Sequence, residues 1–237
     1  MNDSSNTASE FDNFATSYDD ALAEGLSVTG EDRNYYSLGR VRWLKRHLDR
    51  LKIKAEYAME FGCGTGTNIP YLIEIIDLES LIGMDISESS LKIAKSFYGC
   101  EKVRFCVPSE FKLAGQVDLV FCNGVFHHIP VQYRASAIKY VRDSIKPGGL
   151  FAFWENNPWN PGTRYIMSKV SFDRDAILIG PSEGRKLLQT AGFEILNTSF
   201  LFIFPRLLRG LRFLEPVLSH LPLGGQYQML ARKPKSY

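Results

Sequence analysis

Residues 59–68 read MEFGCGTGTN. Glycines alternate at Gly62, Gly64 and Gly66, after the run YAMEF and before a helical pattern that starts near Asn68. A glycine turn between a first strand and its helix lets the backbone approach a ligand closely. The helix behind it adds free N–H groups and a positive dipole end. Glu60 stands just ahead of the turn. A carboxylate there repels phosphate and suits a cationic amine.

Outward from the turn the chain alternates short apolar runs with amphipathic ones. SLIGMD (80–85) reads as a second strand, and SESSLKIAKSFYG (87–99) as a helix with Ser87 as N-cap. KVRFCV (102–107) and VDLVFCN (117–123) are further strands. A helix opens at Pro130, and KPGG (146–149) turns it into a fifth strand, LFAFWE. Strands alternating with helices give a parallel sheet covered on both faces. NNPWNPGTR (156–164) reads as a loop, residues 181–193 as a helix ended by Gly192, and 193–204 and 225–233 as strands. The fold expected is an α/β, Rossmann-like sheet of seven mostly parallel strands, the last antiparallel, in a single domain over 11–237. Within it, 11–55 form a helical cap, 56–155 a cofactor-binding core and 156–237 the acceptor side. Residues 1–10 are polar and read as a flexible tail.

Asp85 ends the second strand, at the spacing where an acidic residue reaches ribose hydroxyls. Glu60, the glycines and Asp85 together call for a nucleoside that carries an ammonium group, a description that S-adenosylmethionine fits. A nicotinamide dehydrogenase shares the topology but wants its third glycine one residue later, where Thr67 stands.

EFGCGTG, GMDIS, VDLVFCNGVFHHI and KPGGLFAFWE resemble the ordered motifs of class I S-adenosylmethionine-dependent methyltransferases. FDNFATSYDDAL, near the start, resembles the small-molecule members. The resemblance implies that Gly62, Gly64 and Gly66 pass under the methionine and ribose parts of the cofactor, with Glu60 nearby. It places Asp85 on the ribose, Ile86 on adenine and Asn123 along the methionyl portion. It also implies a lid ahead of the first strand, to which Tyr18, Tyr35, Tyr36 and Arg40 belong, Tyr18 on the cofactor and Tyr36 on the acceptor. The family often has an acidic residue just after the third strand, on the adenine amine; here that stretch is CVPSEF, where Ser109 or Glu110 is the candidate.

A hydroxyl acceptor needs its proton removed, and a neutral histidine is a suitable base. His127 and His128 end the fourth strand just ahead of a helix N-terminus, whose dipole disfavours the imidazolium. Either can be the base, or simply pack in the pocket. Ligands bind beyond the carboxyl ends of strands in such sheets, so Trp154, Glu155 and Asn156 are expected to line the acceptor side. The expected reaction is methyl transfer to a small molecule, at oxygen, with no metal and no nucleic acid; a non-catalytic cofactor-binding protein is an alternative.

Residues 205–223 interleave Arg206, Arg209 and Arg212 with leucines. A helix buried against the domain, arginines in solvent, is the expectation. The alternative is peripheral contact with an anionic membrane, and with it a lipid or lipid-linked saccharide acceptor. The rest of the chain is ordinary for a cytoplasmic globular protein: 237 residues, 45% hydrophobic, net charge +2 and four cysteines without CxxC spacing.

Overall fold

The computed structural model describes residues 25–112, 114–170 and 176–235. Tyr18 and the expected tail lie outside them. In chain order the elements are α1 (Arg33–Leu51), β1 (Tyr57–Phe61), α2 (Ile69–Ile76), β2 (Ser80–Met84), α3 (Glu88–Tyr98) and β3 (Val103–Cys106). There follow β4 (Val117–Asn123), α4 (Val131–Ser144), β5 (Ile145–Asn156), α5 (Pro161–Lys169), α6 (Pro181–Thr190) and β6 (Glu194–Leu201). A 3-10 segment (Arg206–Leu214), the short α7 (Glu215–Leu218) and β7 (Gln226–Arg232) complete the chain.

The strands form one seven-stranded sheet in the order β3-β2-β1-β4-β5-β7-β6. The first five are parallel, and β7 runs antiparallel between β5 and β6. The expected sheet and its antiparallel closing strand are present.

Period-two alternation divides the sheet into two cores. On one face Phe121, Ala152, Trp154 and Leu230 pack under Val41, Leu44 and Leu48 of α1 and Ile69 and Leu72 of α2. On the other, Val120, Phe151, Phe153 and Met229 pack under Ile138 and Val141 of α4 and Leu188 of α6. α1 is stopped at each end by chemistry visible in its sequence. Asp32 caps its first turn by accepting from Tyr35 N, and Lys52 closes it in the left-handed region. Ser87 caps α3 by accepting from Ser90 N.

Two segments differ from the sequence reading. The loop expected over 156–164 gives way to α5 at Pro161, with Asn160 accepting from Thr163 N as N-cap. An N-cap followed by proline at the first helical position is a helix start, and NPGT carries it. The segment after β6 is not a buried helix: no residue of Arg206–Leu214 is buried.

Candidate active site

The glycine turn is tied to the end of β2. Gly62 N and Cys63 N both donate to Met84 O, at 2.8 and 2.9 Å. Gly62 has φ +73°, and a Cβ there would lie 2.3 Å from Val125 Cγ2. The turn and the loop after β4 therefore touch only because this residue has no side chain. Gly64, at φ +52°, would place a Cβ in open space. Its side of the loop is where a ligand can lie against backbone.

Asp85 braces the same turn. Its Oδ2 accepts from Gly64 N at 2.7 Å and its Oδ1 from Ser87 N at 2.9 Å. Each carboxylate oxygen has further lone-pair capacity, which a ribose diol uses. Ile86 beside it is 43% exposed, an apolar side chain held open at the rim.

Glu60 is 1% exposed. Its Oε1 accepts from Asn68 Nδ2 at 2.6 Å, while Oε2 is buried without a hydrogen-bond partner among the described residues. Burial pushes the carboxyl up to about 8. Glu60 pairs with Phe121 of β4, so Asn123, two residues on, lies on the same face at the carboxyl rim. Asn123 Oδ1 is likewise buried and unpartnered. Two buried acceptor oxygens on this rim match the donors of an ammonium group.

The cofactor end is wired to the far side of the sheet through α1. Arg40, 6% exposed, donates to Asn68 Oδ1 (3.3 Å), Ser37 Oγ (3.1 Å) and Gln226 Oε1 (3.0 Å). Gln226 Nε2 donates in turn to Asn156 Oδ1 at 3.1 Å. The chain Glu60–Asn68–Arg40–Gln226–Asn156 thus links the glycine turn to the residue that ends β5. Arg40 is the hub of this network. Tyr36 packs edge-on against Phe202, ring centres 4.8 Å apart.

His127 is buried beside Glu155. Its Nδ1 lies 2.6 Å from Glu155 Oε2, and Glu155 Oε1 accepts from Phe126 N at 2.8 Å. Glu155 is 0% exposed, so it does not line an acceptor pocket as the sequence suggested; both oxygens are committed to the histidine turn. A carboxylate on Nδ1 holds the proton there and leaves Nε2 as the basic nitrogen. His127 O also accepts from Ile177 N, and buried Arg134 donates to Ile129 O and Ile177 O, which fixes the loop from both sides. His128 is partly exposed, its ring centre 4.1 Å from that of His127.

Trp154 also departs from expectation. It is 0% exposed and packs in the core 6.4 Å from the Phe202 ring. Its register runs Asn123–Trp154–Gln228–Ser199 across β4, β5, β7 and β6. Along this row Trp154 Nε1 and both amide atoms of fully buried Gln228 are unpartnered among the described residues. Gln228 was not picked out in the sequence, because only strand register reveals its place.

Asn156 keeps a place at the rim, but its neighbour is structural. Asn157 donates to Pro222 O and Gly224 O, and Asn160 to Leu223 O, so the loop after β5 latches the late insertion. Burial pushes the Cys63 and Cys122 thiols well above their ordinary range, which leaves them inert packing groups.

Comparison with known proteins agrees with this geometry. A family model described as a methyltransferase domain matches residues 59–151. The carboxy-S-adenosyl-L-methionine synthase of Campylobacter curvus (strain 525.92) is 30% identical over 153 residues, which are 62% of this chain and 61% of that protein. The O-methyltransferase cnsE of Penicillium expansum is 21% identical over 154 residues, 62% of this chain and 55% of the relative. The chain thus spans about three fifths of the length of the curated relatives it matches. The solved S-adenosylmethionine-dependent methyltransferase of Thermotoga maritima, a possible histamine N-methyltransferase, superposes with a TM-score of 0.65 at 19% identity, covering 96% of this chain and 99% of its own. Glycine turn, carboxylates, matched family model and shared fold together make S-adenosylmethionine the cofactor.

Proposed function

We propose that this chain, which has the class I S-adenosylmethionine-dependent methyltransferase fold, moves a methyl group from that cofactor to an oxygen of a small molecule. The observation that carries the oxygen reading is the buried His127–Glu155 pair. A carbon or amine acceptor has less use for a base held in one tautomer, whereas a hydroxyl needs one. The name of the Penicillium expansum relative points the same way.

S-adenosylmethionine, when bound, supplies a methyl group on a sulfonium that leaves as a neutral sulfide. The residues of the chain do the rest. Glu60 and Asn123 would accept from the cofactor's ammonium, Asp85 would hold its ribose diol and Ile86 would cover its adenine. The Gly64 side of the loop admits the backbone-close approach. His127 Nε2 takes the proton of the acceptor hydroxyl while Nδ1–H keeps donating to Glu155 Oε2, and Glu155 acts as a positioning residue. In-line displacement on an activated methyl asks mainly for alignment, and a histidine loop fixed from both sides supplies alignment of the base.

The nicotinamide alternative is disfavoured by Thr67 in the glycine turn and by the antiparallel β7 inserted between β5 and β6. Single-turnover transfer by His127→Ala and His128→Ala, each checked for cofactor binding, tests the base. His127→Ala is expected to lower the rate about 10²–10⁴-fold with unchanged cofactor affinity. Full activity in that variant refutes the role. A second reading, a membrane-peripheral enzyme, is favoured by the surface of the late insertion.

A further inference from the structure

The segment between β6 and β7 turns its apolar side chains outward. Leu207 is 93% exposed, Phe213 73% and Val217 69%, and Leu208, Leu211 and Leu223 are exposed as well. The segment is nevertheless firmly attached. Arg212 faces inward: it donates to Glu31 Oε1 at 2.8 Å and to Phe204 O at 3.1 Å, and its guanidinium sits 4.4 Å from the centre of the Tyr35 ring. Glu215 Oε1 accepts from Ile203 N and Phe204 N. Phe200 N donates to Ser219 O at 2.7 Å, and the Asn157 and Asn160 latch holds the end of the insertion. Polar contacts fasten its inner side and its leucines are left in water, the reverse of an amphipathic helix laid on a core.

The charge of the outer side is one-signed. Residues 205–214 contain no acidic residue; Arg209 is exposed among the leucines, Arg206 is exposed while donating to Gly30 O at 3.3 Å, and Glu215 Oε1 is taken up by Ile203 N and Phe204 N. Trp159, 56% exposed, sits in the loop that holds Leu223. Projecting leucines, a phenylalanine and cationic side chains along one segment are the composition of an interfacial anchor. The apolar side chains project from the 3-10 segment and the short α7 with cationic side chains between them, which suits insertion among anionic lipid headgroups.

We infer that this surface docks on an anionic lipid interface and that the methyl acceptor is an amphipathic molecule resident there. The docking stands by itself; the acceptor half rests on the methyl-transfer reading. The full chain is sedimented with vesicles of phosphatidylcholine alone and of equimolar phosphatidylcholine and phosphatidylglycerol, with cofactor affinity measured on the same preparation. The expected result is pelleting on the anionic vesicles, weakened by salt and by Arg209→Glu. Leu207→Asp with Phe213→Asp lowers the bound fraction about tenfold without changing cofactor affinity. Absence of pelleting on either vesicle, or pelleting indifferent to the double substitution, overturns the docking. So does a wild-type dimer that the same substitution dissociates, since the face then belongs to a second copy. Vesicle binding with methyl transfer only to water-soluble acceptors overturns the acceptor half and leaves the docking in place. Loss of cofactor binding in the wild-type chain instead strikes the methyl-transfer reading.

Discussion

Glu60→Gln isolates the charge that the proposed function assigns to the cofactor's ammonium. In the free protein the Glu60 carboxyl is raised by burial from 4.5 to about 8, and Asn68 Nδ2 already satisfies Oε1. Because the folded value lies above the unfolded one, the folded state binds more protons between these limits. Stability is therefore greatest below 4.5 and falls as pH rises toward 8. At about 1.4 kcal/mol per unit the loss approaches about 5 kcal/mol across that window. Gln keeps an acceptor for Asn68 and cannot ionise, so this component of the pH slope disappears in the variant. Near pH 7 a group titrating near 8 is about nine-tenths protonated. An incoming ammonium pulls the proton off, so wild-type binding releases close to one proton. Calorimetry in buffers of different ionisation enthalpy measures that release, and denaturant titrations across the same range measure the slope. In Glu60→Gln the release vanishes and cofactor affinity drops about 10–100-fold, the cost of exchanging a charged hydrogen bond for a neutral one. Equal affinity and equal proton release in the two proteins would refute the assignment of the ammonium to Glu60.

Glu155→Gln should reduce turnover about 10²–10⁴-fold with cofactor affinity intact, because an amide beside Nδ1 no longer fixes the tautomer; a wild-type rate would remove Glu155 from the mechanism. Asn157→Ala strips partners from Pro222 O, Gly224 O and Trp159 N. It should cost about 2–4 kcal/mol in denaturant unfolding and speed proteolysis within 203–223. Gln228→Met removes two buried, unpartnered polar atoms and should raise stability by about 1–2 kcal/mol; a lower unfolding midpoint would show that the amide has a partner such as an ordered water.

The cofactor half of the molecule is legible in sequence because its signals are local. YAMEF, the glycine turn and Ser87 each state their structure within a few residues. The acceptor half depends on pairings across long separations. Arg40 and Gln226 meet across 186 positions, and the Trp154–Gln228 register exists only once β7 runs antiparallel. Glu155 reads as a rim carboxylate in a one-dimensional string, and strand pairing turns it inward onto His127. The late insertion shows the same limit. Its arginine–leucine spacing shows that the segment is amphipathic, but not which side faces the protein. That was decided by Glu31 and Phe204 binding Arg212 from the inside. The start of α5 at Pro161 was local and legible, and was hidden by the loop-like composition around it.

The most direct test is incubation of the full chain with methyl-labelled S-adenosylmethionine and a whole-cell metabolite extract, followed by lipid–aqueous partition and assay of S-adenosylhomocysteine. Label should appear in a small-molecule acceptor together with an equal amount of S-adenosylhomocysteine, and in the lipid phase if the exposed insertion docks as inferred. Cofactor binding with neither labelled acceptor nor S-adenosylhomocysteine in either phase would contradict methyl transfer and leave a protein that only holds the cofactor.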